Sequence, residues 1–208
     1  MSGGAHDDEA HSRGGLRVEP VTLRGRVVRL EPMTDDHVPA LCRVGLDPDL
    51  WRWIPTAVTT PEEMSAYVAA ALDEQRRGLA LPFVIFDQAR GEVIGSTRYA
   101  NVEPLDRRLE IGWTWLASAH QRTGANTEAK LLLLTHAFER LGAIRVELKT
   151  DALNDRSRRA ILRLGAIEEG TLRKHKLTAS GRVRDTVYFS IVDTEWPAVK
   201  ERLGRLLR

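Results

Sequence analysis

Hydrophobic and polar positions alternate most cleanly between Leu109 and Leu116. Leu109, Ile111, Trp113 and Trp115 fall on one face, and Glu110, Gly112, Thr114 and Leu116 on the other. A period of two predicts a half-buried strand, and Trp and Ile favour that state. A polar turn follows, Gln121-Arg122-Thr123-Gly124-Ala125-Asn126, and then Leu131, Leu134, Thr135 and Phe138 recur at helical spacing. Strand, polar turn and helix in that order aim free backbone N–H groups and a positive helix end at one point, which suits a phosphate. An ordinary strand-to-helix loop has the same outline. No Gly-Lys-Ser/Thr follows as in a Walker loop, and G-x-G-x-x-G is absent.

The rest of the chain reads around that centre. Val27 to Leu30 is a strand after a Gly25 turn, and Thr34 caps a short helix. Asp47 to Pro55 places Trp51, Arg52 and Trp53 between two prolines, the mark of a loop or broken turn. Trp51 and Trp53 either line an acceptor pocket or pack as core. Thr60-Pro61-Glu62-Glu63 is a capping box with Pro at the first helical position, opening a helix that runs to Gly78. Leu81 to Asp87 and Glu92 to Tyr99 form a hairpin, and Ile144 to Lys149 is a strand. Asn154 or Asp155 caps a helix ending at Gly165. Ile167 to Leu177 and Arg184 to Val192 make a last hairpin, and Asp193 or Thr194 caps a C-terminal amphipathic helix. The step from the Glu110 strand through its helix to the Ile144 strand is a crossover that allows parallel pairing. The expectation is an α/β (α+β) fold with a mixed, mostly antiparallel sheet of seven strands. Residues 16–193 form one domain, 194–208 a helix packed on it, and 1–15 a disordered tail. In that tail His6 and His11 are too irregularly spaced for a metal site to be the plain reading.

Composition narrows the function classes. The 208 residues carry 31 basic against 29 acidic groups, a balance too even to argue for nucleic acid as partner. A third reading, nucleic-acid binding through Arg145, Arg156, Arg158, Arg159, Arg163 and Arg173, therefore ranks last. One cysteine, Cys42, forms no intrachain disulfide and sits in an apolar helical pattern, as a core thiol does. No apolar run spans a bilayer and no signal-peptide core opens the chain, so a cytoplasmic protein without membrane attachment is expected.

The Glu110 strand and its turn resemble the core motif of the GNAT acyltransferase superfamily, in which the turn reads Gln/Arg-x-x-Gly-x-Gly/Ala. Asn154-x-x-Ser157 and Leu164-Gly165-Ala166 match the second half of that pattern. Glu110-Ile111-Gly112-Trp113, Thr127-Glu128-Ala129 and Glu169-Gly170-Thr171-Leu172-Arg173 resemble the RimJ/RimL-type branch, which acetylates N-terminal residues of ribosomal proteins. The likeness extends over roughly Leu23 to Asp193. It implies a GNAT fold with a splayed parallel strand pair, acetyl-CoA as cosubstrate and no metal. It also implies cofactor contacts from Leu116, from Gln121, Arg122, Thr123, Gly124, Ala125, Asn126 and Thr127, and from Asn154. On this reading the Leu116 N–H polarises the thioester carbonyl, Gly124 lets the backbone approach the pyrophosphate, and Arg122 adds charge.

Transfer to an amine needs a neutral nucleophile, and a carboxylate beside a desolvated site can take its proton. Glu110 is the candidate base; a solvent-facing strand carboxylate is the plainer alternative. Many superfamily members carry a Tyr acid where this chain has Ile161, which leaves Ser157 or water to meet the departing thiolate. The expected activity is acetyl transfer to a primary amine, either a peptide or protein N-terminus or a small amine. The alternative is a non-catalytic acyl-CoA-binding regulatory module. A homodimer through the sheet edge or the C-terminal helix is compatible with the sequence.

Overall fold

The structure is a computed structural model and describes residues 15–208. The expected tail, with His6 and His11, lies outside the described residues apart from Gly15. The strands are β1 (Leu23–Arg24), β2 (Val28–Pro32), β3 (Leu81–Asp87), β4 (Val93–Glu103), β5 (Arg108–Leu116), β6 (Arg145–Asp151), β7 (Ile167–Leu177) and β8 (Val183–Val192). The helices are α1 (Val38–Gly45), α2 (Pro61–Arg76), α3 (Ala125–Glu139), α4 (Asp155–Leu164) and α5 (Trp196–Leu206). The strands form one 8-stranded sheet in the order β1-β2-β3-β4-β5-β6-β8-β7. The expected count of seven is corrected by β1, whose two residues are too short to carry an alternation.

Among the described residues only β5 and β6 run parallel, and they pair from Arg108↔Arg145 to Glu110↔Glu147. Beyond that point β5 continues to Leu116 and β6 to Asp151 with a wedge between them. β5 also carries a bulge. Arg98 pairs with Gly112 and Ser96 with Trp115, so Trp113 and Thr114 together oppose Thr97, and Trp113 takes φ 53. The bulge overturns the simple alternation read from the sequence. Leu109, Ile111 and Leu116 enter one core, whereas Trp115, with Trp113 partly buried beside it, enters the other.

The two cores lie on opposite faces. The first holds Ala125, Ala129, Leu133 and Leu134 of α3, Ile161 and Leu164 of α4, and Trp196, Val199 and Leu203 of α5, all against the sheet. The second holds Leu41 of α1 and Met64, Tyr67 and Val68 of α2. Cys42 packs partly buried against that second core, and burial, then Glu62, pushes its thiol up. The α2 capping box forms as its sequence dictates, while α5 begins only after Glu195, later than either expected cap. Glu128 ties α3 to the far edge of the sheet. Its carboxylate accepts from the backbone N–H groups of Arg26, Val27 and Val28 at 3.0, 2.6 and 2.7 Å. A Cβ on Gly25 would lie 2.3 Å from that carboxylate, so the turn needs a glycine there. Among the described residues no helix is long and apolar enough to cross a membrane.

Candidate active site

The wedge opens into two adjoining cavities. The smaller, about 400 Å³, is lined by Leu116, by Gln121, Arg122, Thr123 and Asn126 of the turn, and by Asn154, Arg156, Ser157, Ala160 and Arg163 on the α4 side. The turn is built to present main-chain donors. Arg122 takes the left-handed conformation, φ 61, and Thr123 Oγ1 donates to His120 O while accepting from Ala125 N. No hydrogen bond among the described residues occupies the N–H of Arg122, Thr123, Gly124, Asn126 or Thr127. Five such groups at a helix N-terminus, with Arg122, Arg156 and Arg163 around them and no acidic residue in the lining, suit an anion such as a pyrophosphate. Gln121 holds the cradle in place, its Nε2 on Leu116 O at 2.9 Å and its Oε1 accepting from Arg156 at 2.7 Å. Ala117 N–H bonds Ile94 O, so the alternation of an antiparallel ladder turns the Leu116 N–H away from β4 and into the wedge.

Not every expected cradle residue faces this cavity. Gly124 has an ordinary helical φ of −67, and an added Cβ would touch only Leu207 and Val27, at 3.6 and 3.9 Å. The special backbone conformation belongs to Arg122. Ala125 is buried in the first core. Thr127 is buried with its hydroxyl accepting from Arg163 at 3.0 Å, so its side chain acts by fixing α3 to α4. Asn154 Oδ1 accepts from Ser157 N, the helix cap its sequence implies, and Asn154 still lines both cavities. The Ser157 hydroxyl opens into the smaller cavity without a protein partner among the described residues.

The larger cavity, about 810 Å³, gathers side chains from β4, β5, β6, β7 and β8 and from the segment around Trp53. Trp53, Ile54, Thr114 and Asn154 line both cavities, so the two meet there. Trp51 does not. It is buried in the second core with Nε1 donating to Gly45 O, against Tyr67 and Trp115. Of the two tryptophans only Trp53 remains a candidate for contact with an acceptor.

Glu110 is nearly buried on the cavity floor. Its Oε2 accepts from Asn101 Nδ2 at 2.6 Å and sits 2.9 Å from the Lys149 ammonium. Its Oε1 has no hydrogen-bond partner among the described residues and lies over Gly112, where a Cβ would come within 2.6 Å of it. One oxygen is anchored and the other is free, as a proton acceptor needs. Burial pulls the Lys149 ammonium down, but Glu110 and Tyr188 outweigh it and leave its pKa raised. Lys130, from α3, reaches through the wedge to donate to Thr114 Oγ1 at 2.7 Å. Burial brings its pKa down to about 7, against the opposing pull of Glu110. Asn101, Lys130 and Lys149 escaped the sequence reading. The period of β6 puts Glu147 and Lys149 on one face, but which strand that face meets is set only by the crossover.

Residues 28–167 match the Acetyltransferase (GNAT) domain family. The ribosomal-protein-serine acetyltransferase of Escherichia coli (strain K12) is 28% identical over 174 residues, covering 81% of this chain and 94% of that one. YdaF of Bacillus subtilis (strain 168) is 34% identical over 110 residues, covering 53% of this chain and 59% of YdaF, so that match spans less than two thirds of the relative. The structure of Mycobacterium smegmatis RimJ in complex with CoA-disulfide superposes with a TM-score of 0.78 at 27% identity, covering 90% of this chain and 95% of that one. With free main-chain donors at one end of the wedge and a half-anchored carboxylate at the other, this chain belongs to the GNAT acetyltransferase family, whose cosubstrate is acetyl-CoA.

Proposed function

We propose that the chain transfers the acetyl group of acetyl-CoA to the primary amine of a peptide or protein N-terminus, with Glu110 as general base. The observation that carries the reading is the asymmetric Glu110 carboxylate, fixed through Oε2 by Asn101 and Lys149 and open through Oε1. An incoming ammonium gives a proton to Oε1, directly or through one water, and the freed lone pair attacks the thioester carbonyl. The oxyanion that forms is met by the Leu116 N–H, which β4 leaves unpaired. Collapse breaks the C–S bond as the attacking nitrogen sheds its second proton, and the thiolate takes a proton from Ser157 or from water reaching that hydroxyl, which the nitrogen's proton restores. The products are an amide and CoA thiol, and Glu110 returns its proton to solvent. Ile161 lines the acceptor cavity and has no proton to give, which is why Ser157 carries that part of the reading.

A ribosomal-protein acceptor is supported by what the Escherichia coli relative is named for, and CoA in the cradle by what M. smegmatis RimJ is bound to. The test is steady-state acetylation of an N-terminal peptide panel by wild type and Glu110→Gln. The expected result is a fall in kcat of about 10²-fold or more, the usual weight of a general base, with acetyl-CoA affinity unmoved. Equal kcat in the two proteins would sink the base assignment.

A further inference from the structure

Across the acceptor cavity from Glu110, the β7–β8 hairpin carries polar groups that acetyl transfer does not use. Arg184 and Thr186 lie two apart on β8, so both side chains leave the same face. They are 6% and 1% exposed, and both line the cavity. Arg184 Nε and Thr186 Oγ1 are buried with no hydrogen-bond partner among the described residues. His175 of β7 lines the same cavity, and its Nδ1 is unpartnered too. The hydrogen bond Arg184 does make is from Nη1 to Trp53 O at 3.3 Å.

Its charge is only half answered. Asp151 Oδ2 lies 3.9 Å from Arg184 Nε, but the same oxygen is held closely by Arg182, so two guanidiniums share one carboxylate. A positive charge is left facing the cavity, with Lys176 beside it. Burying a guanidinium and a hydroxyl with donors unspent is costly unless a ligand completes them. The planar fork of an arginine is matched by a carboxylate.

We propose that Arg184, Thr186 and His175 form a subsite for a carboxylate on the acceptor, supplied by an acidic residue close behind the acetylated N-terminus. The proposal rests on the acetyl-transfer reading above for where the amine sits. Spacing favours a peptide. Glu110 pairs with Glu147 and Glu147 with Ser190, and Arg184 lies on the same strand six residues from Ser190. At about 3.3 Å per residue that is roughly 20 Å of strand. Side chains reaching inward shorten the gap, far enough that the Glu110 charge is felt at Arg184 and His175. An acidic second or third residue spans it.

The test is calorimetric binding of two peptides, identical but for Glu or Gln at positions two and three, to the full chain saturated with CoA. Binding to this dead-end complex needs no turnover, so it is read separately from Glu110. Wild type is expected to hold the Glu peptide about tenfold tighter or more, as a hydrogen-bonded ion pair implies. Arg184→Gln is expected to bring the two peptides to parity and Arg184→Lys to restore part of the difference. Thr186→Val is nearly the same shape and leaves the Asp151 pair intact, so it keeps the test sound if Arg184→Gln folds poorly; it is expected to narrow the ratio. Equal affinities in wild type, no binding of either peptide, or a preference that survives both Arg184→Gln and Thr186→Val would overturn the subsite. Free glutamate binding as tightly as the peptide would overturn the spacing. Intact discrimination with no acetylation would count against the Glu110 base and not against this subsite.

Discussion

The two cavities that meet at Trp53 and Thr114 are built by opposite means. The smaller is held by the main chain of one continuous turn, whose free N–H groups are aimed by the left-handed Arg122 and by the start of α3. The larger is held by side chains drawn from five strands, with carboxylates and cations interleaved on its walls. On the proposed reading, a main-chain cradle takes what every acyl-CoA carries and needs little side-chain identity to do so. On the same reading, a side-chain cavity decides which amine enters and where its proton goes. The contrast says that substitutions near the turn act mainly through the backbone and its supports. Substitutions around Glu110 act through the position of single atoms.

The same contrast governs what the sequence reveals. The turn, the helix after it and the Asn154 cap are local, so their residue types lie close together and their geometry follows from neighbours. The general fold was readable for that reason, down to the parallel crossover. The acceptor side depends on distant pairings. Asn101 reaches Glu110 across the β4–β5 link, and Lys149 does so through a parallel register that no local pattern encodes. Trp113 defeats the alternation because its bulge turns the strand over in mid-course. Trp51 and Trp53 are two residues apart with similar neighbours, and only tertiary packing sends one into the core and the other to the cavity.

The largest expected effect lies behind the cradle, at a residue that touches no ligand. Glu128 belongs to the resemblance motif, yet its carboxylate is spent on three backbone N–H groups of the β1–β2 turn. Glu128→Gln replaces one acceptor oxygen with a donor that faces those N–H groups, and a buried donor left unmet costs about 1–3 kcal/mol. The expected loss of stability is about 3 kcal/mol in denaturant unfolding. A midpoint unchanged from wild type would mean that α3 is fixed to the sheet by packing alone, and the cradle would not need this support.

Next comes Gly112, on the acceptor side. A Cβ there would stand 2.6 Å from Glu110 Oε1, the flexible end of a side chain. The carboxylate can swing away, so stability should move by less than about 1 kcal/mol. On the proposed reading the base then leaves its place, and misplacement of a reacting group by an ångström costs up to about 10²-fold. Gly112→Ala is therefore expected to lower kcat about tenfold with Tm nearly unchanged. A normal kcat would mean that Glu110 acts through water at a distance that tolerates the shift.

Gly124→Ala sharpens the comparison from the other side, and its expected effect is the smallest. Both glycines sit in motif positions, but Gly124 has an ordinary φ of −67 and space for a Cβ against Leu207 and Val27. Reducing the freedom of the unfolded chain favours the alanine by about 0.4–1 kcal/mol, and the poorer fit of alanine at a helix cap opposes it by a similar amount. Stability should stay within about 0.5 kcal/mol, and acetyl-CoA affinity by calorimetry within about threefold, since the five free N–H groups keep their directions. A collapse of affinity with stability intact would show that the phosphates approach along the face of Gly124 that now meets Val27 and Leu207. That would require α5 and the β1–β2 turn to move aside on binding, and the cradle would then be formed by its ligand, not waiting for it.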